Sequence, residues 1–295
     1  MPKSVYAIIN LTRYQDYHIT VIITTLLGFL VSGVSLNLHM LPRLSLVLLA
    51  NLLCVAFAFM INDIEDAKDD ARDEMKAKRN PVSAGLISPT IGYLATFAVA
   101  ALSISIYFYL GPVPFWLGVT SLILSGLYSW RITRLKAIPV IDLVSHGLIL
   151  AGLQLLCAYF ALNPYTGLNY NWIAPFIIVV AVSVRGQLFN QIRDFECDSK
   201  AGIRHTTSRL GIKTANYLMT ALLLVAGAMF IHSVINKIIP LWCVSVMFVL
   251  GVIFLKKPLT KFKAAEGLEK TYNFERPVLL ITLFSLTLLT LSRFF

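Results

Sequence analysis

The strongest constraint on this chain is a series of apolar runs, each near the ~20 residues that a helix needs to cross a lipid hydrocarbon core. Nine such runs can be delimited, at 18–38, 42–61, 90–110, 114–130, 139–162, 172–191, 217–236, 238–255 and 277–295. Of 295 residues, 57% are hydrophobic and 14% charged, whereas a soluble chain carries about 25% charge. Inside lipid every backbone N–H and C=O must find a partner within the protein, and a helix satisfies them locally. The expected fold is therefore all-α: a polytopic membrane bundle of nine transmembrane helices forming one domain over 1–295.

The net charge of +10 does not point to nucleic acid, because the basic residues sit in short loops between apolar runs. Lys and Arg concentrate at 68–79, 131–136, 193–213 and 256–276, while the alternate loops hold Arg43 and Lys237, with Arg293 near the C-terminus. The positive-inside rule makes the rich loops cytoplasmic, with the N-terminus inside and the C-terminus outside. A cell inner membrane is the expected location, with membrane lipids as neighbours. The polar stretch at 1–16 lacks the apolar core and cleavage site of a secretory signal. Cys54, Cys157, Cys197 and Cys243 are scattered singly, with no metal-knuckle or redox spacing. The acidic residues also fall on the rich side, with Asp142 just inside the fifth run at that end. Acidic residues contribute little to topology, so this segregation implies one polar, catalytic face.

Within that face two stretches share the spacing N-x-x-x-D-x-x-x-D: Asn62, Asp66, Asp70 after the second run, and Asn190, Asp194, Asp198 after the sixth. Four runs separate them, an even number, so both emerge on one side. They suggest an internal repeat with halves of roughly 1–138 and 139–295. Positions i, i+4 and i+8 line one face of a helix that continues past the membrane edge. Oxygen ligands so placed repel one another unless a cation lies between them, and hard oxygen donors suit Mg²⁺ completed by substrate phosphates. Asp63, Glu65, Asp69, Asp73 and Glu74 fall off the ligand face and are expected to be solvated, except that Asp63 can back the ligands. Cations that could meet a diphosphate follow the first motif (Lys78 and Arg79), the fourth run (Arg131, Arg134 and Lys136) and the second motif (Lys200, Arg204, His205 and Arg209).

These residues give the chain a recognisable likeness. Asn62-Asp63-x-x-Asp66-x-x-x-Asp70, Arg79-Asn80-Pro81-x-Ser83-x-Gly85, Tyr128-Ser129 with Lys136, and Asp194-x-x-x-Asp198-x-x-x-Gly202 with Arg209-Leu210-Gly211 resemble the UbiA superfamily of intramembrane aromatic prenyltransferases. The resemblance implies a nine-helix bundle around a central lateral cavity. It implies Mg²⁺ at Asn62, Asp66, Asp70, Asp194 and Asp198, with Arg79, Lys136 and Tyr128 contacting the diphosphate or closing over it. Asn80 departs from the pattern, standing where many members carry Arg before Pro, which shifts the expected contact to Arg79. The Asn190–Asp194 run looks like quinone-branch members, while the first motif is the generic form.

The expected activity is alkyl transfer from an isoprenyl diphosphate to a small aromatic or lipid-precursor acceptor. Asp66, Asp70, Asp194 and Asp198 are the catalytic carboxylates, Asn62 and Asn190 are further metal ligands, and Arg79, Tyr128, Lys136, Lys200 and Arg204 are the diphosphate contacts. Aromatic faces such as Phe57, Phe59, Tyr128, Tyr159, Phe176 and Phe189 are candidates to steady an allylic cation. Asp16 and Asp142 could orient an acceptor hydroxyl or act as local structural partners. Arg185 lies inside the sixth run, where a buried guanidinium needs an anionic partner or water; acceptor recognition and structural pairing both fit. Transfer to a glyceryl phosphate or phosphoribose, terpene cyclisation and secondary transport remain alternatives. Transport fits worst, because its site belongs at mid-membrane and these acids lie at a rim.

Overall fold

A computed structural model of the chain describes residues 3–163, 170–200, 203–255 and 269–294. Gly202 and Glu266 lie outside them, as do the side chains of Lys200 and Glu269. Every regular element among the described residues is a helix, and none is a strand. Helix α1 (Lys3–Thr12) precedes α2 (Tyr14–Ser32), α3 (Met40–Asp70), the short α4 (Glu74–Arg79), α5 (Pro89–Leu110) and α6 (Pro112–Ser129). There follow α7 (Ile141–Gly147), which passes through a wider turn into α8 (Leu153–Leu162), then α9 (Ile173–Arg193), α10 (Phe195–Lys200) and α11 (Thr206–Leu210). Helices α12 (Ile212–Ile235), α13 (Leu241–Phe254) and α14 (Glu269–Leu291) complete the bundle.

Among the described residues seven helical segments are long and apolar enough to cross a membrane: Met40–Asp70, Pro89–Leu110, Pro112–Ser129, Ile141–Leu162, Tyr170–Arg193, Ile212–Ile235 and Glu275–Phe294. The other two expected spans correspond to α2, whose first turn is diluted by Gln15, Asp16 and His18, and to α13, with 14 residues. At 1.5 Å per residue, α13 by itself is shorter than a hydrocarbon core of about 30 Å. Helix α1, which lies in the polar stretch ahead of the first apolar run, buries Ala7 and Leu11 and leaves Val5 and Tyr6 exposed.

The bundle is apolar outside as well as inside. Helix α12 buries only Ala215, Ala226 and Ser233 while Leu224 is 70% exposed, and Phe108 on α5 and Phe248 on α13 also face outward. In water such patches would drive aggregation; in lipid they are the solvent-facing surface. At the centre α2 runs along α8, flanked by the pairs α3–α5 and α9–α12. The α2–α8 approach depends on Gly28, where a Cβ would lie 2.5 Å from the Leu155 carbonyl oxygen. Small residues at such crossings let helix backbones meet where lipid supplies no hydrophobic drive.

Buried polar side chains tie the centre together. Asn51 on α3 donates to Thr25 Oγ1 at 2.8 Å and to the Gln154 carbonyl at 3.0 Å, and accepts from the Tyr107 hydroxyl at 2.6 Å. One amide thus joins α2, α3, α5 and α8. Arg43, counted above only as a topology signal, donates to the carbonyls of Ala161 and Leu110. Those carbonyls belong to the last turns of α8 and α5, which have no intrahelical donors.

Candidate active site

The first acidic motif rides on a single helix. Met40–Asp70 is continuous, so α3 passes well beyond the second apolar run and carries Asn62, Asp66 and Asp70 on it. Lys136 reaches both of the first two: its Nζ donates to Asn62 Oδ1 at 2.9 Å and to Asp66 Oδ2. Arg134 adds a contact of 3.5 Å to Asp66 Oδ1 and one of 3.3 Å to Asp69 Oδ2. Asp70 is held differently. Asn80 donates to its Oδ2 at 2.9 Å and to the Asp63 carbonyl at 2.7 Å, while Asn80 Oδ1 accepts from the backbone N–H of Val82 at 3.0 Å. Ser83 Oγ donates to the Ala67 carbonyl at 2.7 Å. The segment after α4 is thereby folded back onto the motif helix.

Two acids off the ligand face are buried: Asp63, expected to back the ligands, and Glu65, expected to be solvated. Asp63, at 1% exposure, pairs with Arg13 at 3.1 Å. Glu65 accepts from the Tyr93 hydroxyl at 2.6 Å and from the Arg131 backbone N–H at 3.3 Å. The cause is tertiary: α1, α5 and the loop after α6 cover the sides of α3 that sequence spacing leaves open. Asp73 and Glu74 do behave as solvated residues, Asp73 as the N-cap of α4 and Glu74 paired with exposed Lys78. Burial does not account for Asp73. Its carboxylate lies below the ordinary range because the backbone N–H groups of Lys76 and Met75 donate to it.

The second motif bends. Helix α9 ends at Arg193, and Asp194 adopts φ −93, ψ 5, which directs Asp198 onto the separate helix α10. The backbone bonds still run Asp194 N–H to Asn190 O and Asp198 N–H to Asp194 O, both 2.9 Å, so the three residues remain successive turns apart. Arg193 grips Asp194 with two bonds of 2.9 and 3.0 Å. His205 Nε2 lies 3.2 Å from Asp198 Oδ2. The expected straight ligand face is thus kinked at its middle member.

The loop between α6 and α7 bridges the two motifs. It carries Lys136 on the first, and at its end the Val140 N–H donates to Thr206 Oγ1 at 2.7 Å, beside the second. Tyr128, at the end of α6, accepts from Gln187 on α9 at 3.1 Å. Of the expected cations, Lys136 is brought to the carboxylates, whereas Arg79, Arg204 and Arg209 are exposed at the same rim. A cavity of about 370 Å³ lined by Pro139, Val140, Thr206, Arg209 and Leu210 opens there. Strain gathers at this rim too. Arg13, Arg134 and Val140 have positive φ, and Lys237 is the one other described non-glycine that does. Such conformations persist where surrounding contacts over-determine them, commonly at functional sites.

Among the described residues no three His, Cys, Asp or Glu side chains converge as a metal cage. The donor set nonetheless fits Mg²⁺, which takes one or two carboxylates and completes its octahedron with water and phosphate oxygens. Asp66, Asp194 and Asp198 remain partly accessible, at 19%, 28% and 18%. Phe59 is already engaged, stacked on Tyr17 and covered by Arg13 at 4.7 Å. Asp16 pairs with Arg13 at 2.7 Å, and Arg185 pairs with Glu275 on α14.

Spanning helices with one rim of paired carboxylates and cations define the class: an integral-membrane helical bundle with a single polar face. The sequence matches the model of the UbiA prenyltransferase family over residues 21–274, and the chain belongs to that family, whose members transfer prenyl groups. Curated protein sequences give no match. Solved structures resemble it in fold. A UbiA homologue from Aeropyrum pernix K1 is 17% identical with a TM-score of 0.72, covering 92% of this chain and 97% of that one. A digeranylgeranylglyceryl phosphate synthase is 18% identical with a TM-score of 0.67, over 100% and 99%. A UbiA homologue from Archaeoglobus fulgidus, bound to GPP and Mg²⁺, is 19% identical with a TM-score of 0.60, over 95% and 86%.

Proposed function

We propose that this chain is a magnesium-dependent prenyltransferase that moves an isoprenyl group from a polyprenyl diphosphate to a quinone or lipid precursor, an aromatic acceptor being the first choice. The observation that carries this reading is the single rim on which the segment 134–142, the end of the α6–α7 loop and the start of α7, is bonded to both acidic motifs' surroundings. Asn62, Asp66 and Asp70 would hold metal on one side of the diphosphate, and Asn190, Asp194 and Asp198 on the other. When bound, Mg²⁺ supplies neutralisation of the charge that develops on the leaving diphosphate.

Lys136 has a distinct task. A flexible ammonium already beside Asp66 can turn to a diphosphate oxygen, adding fixed positive charge where negative charge grows. Arg79, Arg204 and Lys200 would contribute longer-range attraction. The diphosphate keeps the bonding electron pair, and the allylic cation left behind is captured by an acceptor carbon or oxygen that gives up its proton. The apolar interior accommodates the isoprenoid chain in a lateral cavity and keeps water from the cation. The paired packing of α3–α5 and α9–α12 supports the two-halves reading of the domain; the distribution of Lys and Arg supports active-site loops in the cytoplasm, the N-terminus inside and the C-terminus outside.

The test is product analysis. Purified protein in detergent receives Mg²⁺, geranylgeranyl diphosphate and a panel of aromatic, glyceryl-phosphate and phosphoribose acceptors, with an EDTA control. Metal-dependent diphosphate release with a prenylated adduct is the expected result and identifies the acceptor class. Release with only a hydrocarbon product would replace this reading with a cyclase. No release with donors of several lengths would overturn it.

A further inference from the structure

Asp142 lies in the first turn of α7, inside a spanning segment, and is fully buried. Its Oδ1 accepts from the Leu143 N–H at 2.9 Å and from Thr206 Oγ1 at 2.5 Å. Its Oδ2 accepts from Gln191 Nε2 at 2.6 Å and from the Thr206 N–H at 2.8 Å. Gln191 is buried as well, and its Oε1 accepts from the Thr207 N–H at 3.1 Å and the Thr207 hydroxyl at 2.9 Å. The Thr206 hydroxyl in turn accepts from the N–H of Val140, whose φ of 71 is one few β-branched residues adopt. A carboxylate so enclosed has no room for an acceptor molecule, and its four donors identify it as a junction.

The junction joins three pieces of the proposed site. One is the segment from Arg134 to Val140, which carries Lys136 to Asn62 and Asp66. The second is the last turn of α9, where Gln191 directly follows Asn190 and lies three residues before Asp194. The third is the start of α11, where His205 precedes Thr206 and stands 3.2 Å from Asp198. Among the described residues no hydrogen bond or ion pair runs directly between the two acidic motifs, whereas the loop that Asp142 anchors is bonded to both sides. A two-metal diphosphate site needs that separation held closely, since small misplacements of ligands carry large penalties.

We infer that Asp142, through Gln191 and Thr206, is a positioning residue for the diphosphate site, setting where the Lys136 arm and the second acidic motif stand relative to each other. This rests on the proposed diphosphate chemistry, but not on any acceptor. It predicts weaker capture of the donor with unchanged handling of the acceptor.

The experiment compares wild type with Asp142→Asn, Thr206→Val and Thr206→Ser in detergent. Affinity for inorganic diphosphate in the presence of MgCl₂ is read from the shift in melting temperature. KM for donor and for acceptor is read from turnover. Loss of one or two buried hydrogen bonds corresponds to roughly tenfold. The expected result is an affinity for magnesium diphosphate about tenfold weaker in Asp142→Asn and Thr206→Val. Donor KM should rise in parallel, acceptor KM should stay unchanged, and Thr206→Ser should retain most of the wild-type affinity. The double variant Asp142→Asn/Gln191→Glu, which reverses the polarity of that bond, should recover part of the loss. Folded variants with wild-type diphosphate affinity, or an equal loss for acceptor, would overturn the inference. If Asp142→Asn does not accumulate as folded protein, Thr206→Val alone decides by the same two readings. Wild type that binds magnesium diphosphate but transfers nothing would refute the proposed reaction while leaving the positioning test in force. Wild type that does not bind it would refute both.

Discussion

The two acidic motifs share a spacing but not a structure, and the contrast shows what spacing controls. Around Asn62–Asp70 the helix is unbroken and braced on several sides: Asn80 and Ser83 on one, Lys136 and Arg134 on another, Arg13 and Tyr93 on the rest. Around Asn190–Asp198 the helix kinks at Asp194, whose carboxylate is held by its neighbour Arg193 and whose following turn is held from α11. A spacing of four requires only that successive residues lie about one turn apart. Whether the turns stay collinear depends on what packs against them. The first motif is therefore the wall of the proposed site, braced by contacts remote in sequence, and the second is a jaw whose acids are held by residues close to them in the chain.

The largest effect should come from removing a carboxylate from either side. Asp66→Ala and Asp194→Ala should each lower turnover by on the order of 10³-fold or more while inserting and purifying as wild type does. Product release assayed with purified variants checks this, and full activity in either one would break the pairing of the motifs. The next effect separates the two cations. Lys136→Ala should cost on the order of 10²-fold in turnover, because Lys136 is mostly buried and spans two motif residues, with side-chain exposure of 13%. Arg193→Ala should cost far less, since Arg193 is 47% exposed and touches one carboxylate. Equal losses would show that the jaw depends on its local pair as much as the wall depends on Lys136.

A third effect should appear in stability. Asn80→Ala leaves the Asp63 carbonyl and the Val82 N–H without their buried partner. The expected cost is about 1–3 kcal/mol, read as a lower melting temperature in detergent. A drop no larger than that of a surface control such as Lys78→Ala would mean that the wall is braced elsewhere.

The smallest effect is a pH dependence confined to α4. The backbone donors of Lys76 and Met75 depress the Asp73 carboxylate, so its folded-state pKa lies below its unfolded one. The cap therefore stabilises at pH values above the ordinary carboxylate range of about 3.9 and weakens as pH falls through the lower folded value. Asp73→Ala should melt slightly earlier than wild type at pH 6, and the difference should shrink toward pH 3. A constant difference would refute the assignment of the cap to the ionised form.

Much of this molecule could be read directly from its residues. Long apolar runs dictate helices because lipid offers the backbone no other partners, and the segments found follow those runs closely. The acids and the basic loops were legible as one polar face because charge is costly anywhere else in a membrane. Identical N-x-x-x-D-x-x-x-D spacings brought out Asn62, Asp66, Asp70, Asn190, Asp194 and Asp198 together. Other features depend on contacts between residues far apart in the chain. Asn51 and Gln191 look like stray polar residues in apolar runs, and Asn80 looks like a lost arginine. The burial of Asp63 and Glu65, the capping role of Arg43 and the junction at Asp142 likewise have no local signature. A single sequence records which residues are polar. Only packing determines which of them meet, because a hydrogen bond spanning 64 residues, such as that between Asp142 and Thr206, exists only once the helices between them have closed the loop.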